Sequence, residues 1–194
     1  GVCGGDNSSC LADQFIYNQS TEQAFYFFET ATINDVPLDE DDWIGAFKGD
    51  VCVGARQWDT SLCANNVCEI TLMGDDGDEL TAGYMQEGEI PEFRIYDVSE
   101  EIVYNAISSE YFSWSSLGIF VVENLNVFPD CNGDLGGTVE DSDGDGVCDD
   151  VDACPGYDDN VDEDQDGLAD ACDECPFDPE NDIDGDGLCC SEDY

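Results

Sequence analysis

The sequence predicts an all-β fold, an antiparallel β-sandwich of jelly-roll type, followed by an irregular acidic tail. Three observations support this prediction. Short runs of β-branched and aromatic residues are separated by Gly, Asp, Asn and Pro clusters, which is typical of strands and turns. No segment shows sustained apolar spacing at 3.6 residues. The composition also changes sharply near Pro129.

The predicted strands are short and numerous. A tight hairpin is expected at Lys48-Gly49-Asp50, between two of them. About eight short strands with regular turn signals favour a sandwich, and a closed barrel would use the same signals. The predicted strands are residues 14–17, 24–33, 43–47, 51–58, 68–73, 92–96, 102–106 and 119–127.

Composition divides the chain into three parts. Residues 1–10 form a Cys/Gly-rich segment, residues 11–128 the β-sandwich domain, and residues 129–194 a repetitive tail. The tail holds 25 of the 49 acids and seven of the 12 cysteines, but no Lys or Arg. Since every tryptophan lies before residue 129, only the middle part can build a sizeable apolar core.

The net charge is extreme. The chain has 49 acidic and three basic residues, for a formal charge of −46. A compact chain of this charge repels itself unless cations bind. Oxygen ligands and the absence of histidine indicate a hard cation, calcium before magnesium. The same charge excludes nucleic acid as a partner, because nothing can neutralise its phosphates.

Cysteine usage indicates the compartment. Twelve cysteines and no histidine favour disulfides over zinc ligands, and therefore an oxidising, extracellular setting. The sequence has no apolar run long enough to span a bilayer and no signal peptide. The start at Gly1 is interpreted as a processed or truncated N-terminus.

Three segments of the tail, 141–152, 162–173 and 182–193, align without gaps and start 21 and then 20 residues apart. Acids at positions 1, 3 and 5 face a common centre when the backbone curls around an ion, glycine at position 6 permits the bend, and position 7 offers its carbonyl oxygen. Further acids follow at positions 9 and 12, except that Cys190 takes position 9 of the third copy. The predicted metal ligands are Asp141, Asp143, Asp145, Val147, Asp149 and Asp152, then Asp162, Asp164, Asp166, Leu168, Asp170 and Asp173, then Asp182, Asp184, Asp186, Leu188 and Asp193.

These loops differ from EF-hands. An EF-hand has Glu at position 12 and a helix on either side. Here position 12 is Asp, and Cys-Pro follows two residues later in the first two copies. Paired helix-flanked loops of the dockerin kind are excluded for the same reason. We therefore expect calcium sites without helices.

The motif Asp-x-Asp-x-Asp-Gly-x-x-Asp-x-x-Asp-x-Cys-Pro resembles the thrombospondin type 3 repeat, over residues 141–193. The resemblance implies little regular secondary structure, a string of calcium ions and disulfides between neighbours. It also implies a second ion per repeat, held by upstream acids, here Asp158, Asp159, Asp178 and Glu180. The implied disulfides are Cys154–Cys172, Cys175 with Cys189 or Cys190, and, by analogy, Cys131–Cys148. The third copy departs from the family pattern.

Three shorter stretches also look familiar. Residues 1–10 and 130–138 resemble halves of a Cys/Gly repeat of large extracellular surface proteins. This implies a piece of a longer repetitive polymer, or a chain that abuts its neighbour. Residues 43–55 look like a hairpin of bacterial surface β-sandwiches.

Several smaller features add candidate sites. Asn7 and Asn18 begin N-glycosylation motifs. Residues 39–42 and 75–79 are acidic and are either calcium sites or solvated turns. Two cysteine pairs are close enough to close small loops, whereas Cys52 and one of Cys189 and Cys190 have no assigned partner. The two close pairs are Cys3 with Cys10 and Cys63 with Cys68.

The sequence favours a structural role. Without histidine, Ser-His-Asp, Cys-His and His-ligated metal chemistry are excluded. Two carboxylates suffice for a glycosidase, but no motif singles out a pair, so we expect no enzyme. We expect a calcium-binding extracellular subunit of a filament or matrix, with itself or other extracellular domains as partners. The alternative is an adhesin or glycan-binding module that stacks sugars on Trp43, Trp58 or Trp114.

Overall fold

The computed structural model describes residues 13–181 and Cys189. Within these residues the chain is all-β, with three short 3-10 turns and no α-helix. The 3-10 turns are Asp13–Phe15, Thr60–Leu62 and Glu79–Thr81. The strands are β1 (Gln23–Ile33), β2 (Val36–Pro37), β3 (Trp43–Lys48), β4 (Val51–Gln57), β5 (Cys68–Met73), β6 (Glu92–Asp97), β7 (Ile102–Ser108) and β8 (Ile119–Val127).

The strands form one mixed, curled sheet in the order β2-β1-β8-β7-β6-β3-β4, and β5 also pairs with β1. The prediction of antiparallel strands throughout is wrong, because β1 and β8 run parallel, with Phe25 opposite Ile119 and Ile33 opposite Val127. Nearly a hundred residues separate these partners. Local patterning therefore carries no signal for the direction of the pairing.

The sheet curls into a half-barrel, and the predicted sandwich and jelly roll are not confirmed. At the end of the curl β4 packs against β5. Arg56 Nη1 donates to the carbonyl oxygen of Glu69 at 3.1 Å. A Cβ atom on Gly54 would lie 2.3 Å from the carbonyl oxygen of Thr71. Only glycine permits this approach.

The apolar core follows the alternation of β1. Ala24, Tyr26 and Phe28 are buried while the residues between them are partly exposed, as expected for a strand with one buried face. Trp58 and Trp114 are only 4% and 3% exposed and belong to this core.

A second, smaller cluster contains Phe15, Phe47, Cys52 and Tyr96. Phe15 packs edge-on against Phe47, with ring centroids 5.4 Å apart. The predicted strand at 14–17 is absent. Phe15 is fully buried, but its segment ends a 3-10 turn and has no strand partner.

Two tight turns set the hairpins. The predicted Lys48-Gly49-Asp50 hairpin joins β3 to β4, with Gly49 at φ 59°. Asn34 and Asp35, both at positive φ, join β1 to β2. Asn and Asp tolerate this conformation better than other residues that carry a side chain.

The chain divides into two compact units. Of the described residues, the first unit contains 13–129 and 135–137, and the second contains 130–134, 138–181 and Cys189. The described part of the second unit has no regular secondary structure. Its buried apolar residues are few: Cys148, Cys154, Ala169 and Cys175.

Candidate metal centres

The first candidate centre lies in loop 1, residues 141–152. Asp141, Asp143 and Asp145 each bring a carboxylate oxygen within 4.8 Å of the others. Asp141 anchors the curl, because its carboxylate accepts the N–H groups of Gly144 at 2.8 Å and Gly146 at 3.0 Å. Gly146 has φ 92°, so position 6 requires a residue that tolerates the left-handed region.

Loop 2, residues 162–173, repeats this geometry. Asp162, Asp164 and Asp166 form the second triplet within 4.8 Å. Asp162 accepts the N–H groups of Gln165 at 2.6 Å and Gly167 at 3.0 Å. The two loops therefore have the same local conformation.

Position 7 closes each curl. The N–H of Val147 donates to Asp145 Oδ1 at 2.7 Å, and that of Leu168 donates to Asp166 Oδ1 at 2.8 Å. The sequence assigned their carbonyl oxygens as ligands. Leu168 is 47% exposed, so its side chain adds little local core.

Position 9 has a different surrounding from positions 1, 3 and 5. Both carboxylate oxygens of Asp149 accept hydrogen bonds from Ser142, and Asp170 Oδ1 accepts the N–H of Glu163 at 2.9 Å. The bonds from Ser142 hold the pKa of Asp149 below its usual value. Asp149 in loop 1 and Asp170 in loop 2 were both predicted as metal ligands. Each is hydrogen-bonded to position 2 of its own loop.

Position 12 faces the acidic cluster. Burial raises the pKa of Asp152, and the charges of Asp159, Asp143 and Asp145 raise it further. Burial likewise raises the pKa of Asp164, together with the charges of Asp166, Asp173 and Asp162. Asp152 and Asp173 therefore lie close to their triplets.

Several carboxylate oxygens in these clusters are buried without a hydrogen-bond partner. They are Asp159 Oδ1, Asp164 Oδ2, Asp173 Oδ2 and Asp178 Oδ2. A buried charged oxygen with no partner is costly, and a cation would satisfy it. The donor set consists of oxygens alone, so the residues fit a hard metal ion. The two triplets could hold a metal ion, and their geometry does not itself select calcium.

The upstream acids have mixed surroundings. Asp159 Oδ2 accepts the N–H of Ala153 at 3.1 Å while its Oδ1 has no partner. Asp178 Oδ1 accepts the N–H of Glu180. Asp158 and Glu180 are exposed.

Disulfides cross-link successive segments of the second unit. The structure joins Cys131 to Cys148, Cys154 to Cys172 and Cys175 to Cys189. Cys189 is therefore the partner of Cys175, where the sequence left a choice with Cys190. In the first unit Cys63 pairs with Cys68, and Cys52 is buried with a free thiol.

Some predicted residues lie outside the described part of the chain. These are the ligands of the third copy, Asp182, Asp184, Asp186, Leu188 and Asp193, together with Cys3, Cys10, Asn7 and Cys190. Asn18 is described and exposed, and its side-chain amide donates to the carbonyl oxygen of Leu80 at 3.1 Å.

The acidic runs of the first unit, residues 39–42 and 75–79, stabilise turns by accepting hydrogen bonds. Asp42 is 5% exposed, and its two oxygens accept the N–H groups of Asp39 and Val98. Asp76 accepts the N–H and hydroxyl of Thr21 and the hydroxyl of Thr81. In the described residues, the acid groups spaced to hold a metal are the two loop triplets.

The contacts of Ser142, Asn160 and Asn181 were not predicted from the sequence. Ser142 binds Asp149, and both asparagines donate to the loop before them. The available signal was an asparagine one or two residues before the start of the second and third copies.

A comparison of the chain with protein-family models, curated proteins and solved structures finds no match. The four disulfides among the described residues indicate an oxidising environment. Over the residues that the structure describes, no helix has the length and apolar character needed to cross a membrane.

Proposed function

We propose that the chain is an extracellular, calcium-binding structural protein, a subunit of a surface or secreted filament or matrix in which the calcium array is a rigid linker. The observation that carries the proposal is the duplicated aspartate triplet within a disulfide-linked unit. The sequence motif supports assignment of these loops to the thrombospondin type 3 kind.

Calcium fits the donor set better than magnesium. Calcium takes six to eight oxygen ligands in flexible geometry, whereas magnesium demands an octahedron and retains several waters. Each loop offers carboxylates at positions 1, 3, 5 and 12 and a main-chain carbonyl at position 7. Such a crowded set of acids suits the larger ion.

The poor apolar core of the described part of the second unit supports a mechanical role. Its few buried apolar residues are mostly half-cystines. A unit with so little apolar burial gains its order from cross-links. Disulfides and bound ions therefore make the second unit stiff. Without the ions, its acidic side chains repel one another.

The adhesin alternative depended on exposed tryptophans. Trp58 and Trp114 are buried, and Trp43 is partly buried with its indole N–H enclosed. Aromatic stacking on sugars needs an exposed ring face, so none of the three favours that role.

Electron microscopy of the purified native material tests the proposal. We expect filaments or sheets in calcium that soften or dissociate after thorough EGTA treatment and re-form when calcium, but not magnesium, is returned. Assemblies that stay unchanged after EGTA would contradict the linker role.

A further inference from the structure

A short stretch between the two loops contacts both of them and is here called the bridging segment (residues 158–161). It reaches back to loop 1, because the N–H of Asp159 donates to Asp145 Oδ2 at 2.6 Å. The side-chain amide of Asn160 donates to the main-chain carbonyl of Asp145 at 3.0 Å. Both contacts end on the residue that supplies position 5 of loop 1.

The same segment closes loop 2. The carbonyl oxygen of Val161 accepts the N–H of Asp170 at 2.7 Å. Loop 2 begins at the next residue, Asp162. Val161 is therefore bonded covalently to the first residue of loop 2 and hydrogen-bonded to Asp170 near its end. Ordering of Val161 restrains both positions.

Asp145 has two tasks in this arrangement. Its Oδ1 accepts the N–H of Val147 within loop 1, its carboxylate belongs to the triplet, and its Oδ2 and carbonyl hold the bridging segment. An ion that fixes Asp145 also fixes the residues that it holds. The ordering cost of loop 2 is then partly met before its own ion binds.

A corresponding contact leaves loop 2. Asp166, the position 5 residue of loop 2, accepts the side-chain amide of Asn181. The link from position 5 to the asparagine ahead of the next copy is therefore made twice. Its recurrence argues that it is a built feature of the array.

Resting on the calcium function proposed above, we propose that loops 1 and 2 bind calcium with positive cooperativity and that Asn160 is the positioning residue that couples them. Asn160 donates to a backbone carbonyl of loop 1 and lies outside both aspartate triplets. It acts through Asp145. Coupling of binding is reciprocal, so each loop must raise the affinity of the other by the same factor.

The test is calcium titration of the full chain by NMR, with the amides of Gly146 and Gly167 as separate reporters of loops 1 and 2. Asp143→Asn should raise the calcium concentration for half-saturation at Gly167, and Asp164→Asn should raise it at Gly146. A global fit of the wild-type and variant titrations to a two-site scheme gives the single coupling factor. Allosteric couplings commonly fall at roughly 5–150-fold.

Asn160→Ala should lower that factor while both loops still bind calcium, because only the N–H of Asp159 then holds the bridging segment to Asp145. Asn132→Ala is the matched control, because it removes an amide that donates to Asp150 outside the bridging segment, and its coupling factor should equal that of the wild type. Independent loops in the wild type, or an unchanged factor in Asn160→Ala, would overturn the coupling alone. No calcium binding in any variant would overturn the proposed function as well.

Discussion

Asp149 accepts two hydrogen bonds from Ser142, one from its N–H at 2.8 Å and one from its hydroxyl at 2.7 Å. Asp152 Oδ1, three residues later, instead accepts the N–H of Cys154 at 2.7 Å, and burial, with the charges of Asp159, Asp143 and Asp145, raises the pKa of Asp152. Two acids that the motif treats alike therefore have different surroundings, and we expect different roles for them.

The pair Asp149→Asn and Asp152→Asn separates these roles, because each removes one charge from loop 1. We expect Asp152→Asn to lose the loop 1 ion at calcium concentrations that fill the wild type. Asp149→Asn should retain the ion with an affinity lowered by about 10–100-fold, as is typical when a residue that supports the ligands is changed. Isothermal titration calorimetry with calcium measures both effects. Equal losses in the two variants would show that position 9 is a ligand.

The disulfide Cys154–Cys172 closes a loop with a sequence separation of 18. Replacing both cysteines by serine should lower the free energy of unfolding of the second unit by about 3 kcal/mol. Cys63–Cys68, with a separation of 5, is the comparison pair, and its removal should cost the first unit about 2 kcal/mol. Urea unfolding in calcium measures both. A larger cost for the shorter loop would contradict this order.

Gly54 tests the curl of the sheet. Gly54→Ala would place a Cβ against the Thr71 carbonyl, so β4 must move away from β5. Overpacking of this kind costs about 1–3 kcal/mol. Urea unfolding followed by tryptophan fluorescence gives the change in stability. A variant as stable as the wild type would show that β4 and β5 do not pack this closely.

Cys52 is a buried free thiol among the aromatic rings of the second cluster. Burial raises the pKa of its thiol to about 11, so the reactive thiolate is scarce at pH 8. Iodoacetamide should leave Cys52 unmodified in the native protein and should label it after unfolding without reductant. Peptide mass spectrometry reads this residue by itself. Rapid native labelling would place Cys52 at the surface.

Asp76 predicts a pH dependence. Hydrogen bonds from Thr21 and Thr81, with the N–H of Asp78, hold the pKa of Asp76 below its usual value. A lowered folded pKa contributes stability that is present above the unfolded pKa, about 3.9, and is lost as pH falls through the folded pKa. The melting temperature of the wild type should therefore exceed that of Asp76→Asn at pH 7, and the gap should narrow below pH 4. A constant gap would exclude Asp76 as its source.

Local patterning predicted much of the first unit. The predicted strands at 68–73 and 119–127 have the bounds of β5 and β8. The parallel partnership of Phe25 with Ile119 was out of reach, because chain direction across a sheet is set by distant packing. Phe15 shows the same limit, since the apolar run around it predicted a strand, whereas the structure has a 3-10 turn there.

The candidate centres were also readable in part. The spacing of Asp141, Asp143 and Asp145 led to the triplet that the structure shows. The role of Asp149 was not readable, because it depends on the neighbouring Ser142 and on how the chain returns across the loop. Asn160 was missed because its amide acts on a backbone carbonyl fifteen residues away.

Native mass spectrometry of the full chain in calcium tests the central claim most directly, because it counts bound ions. We expect several calcium ions on the wild type and fewer on Asp143→Asn and on Asp164→Asn. The double variant should have lost the ions of both loops. A wild-type chain that carries no calcium at millimolar concentration, or variants that carry as many ions as the wild type, would contradict it.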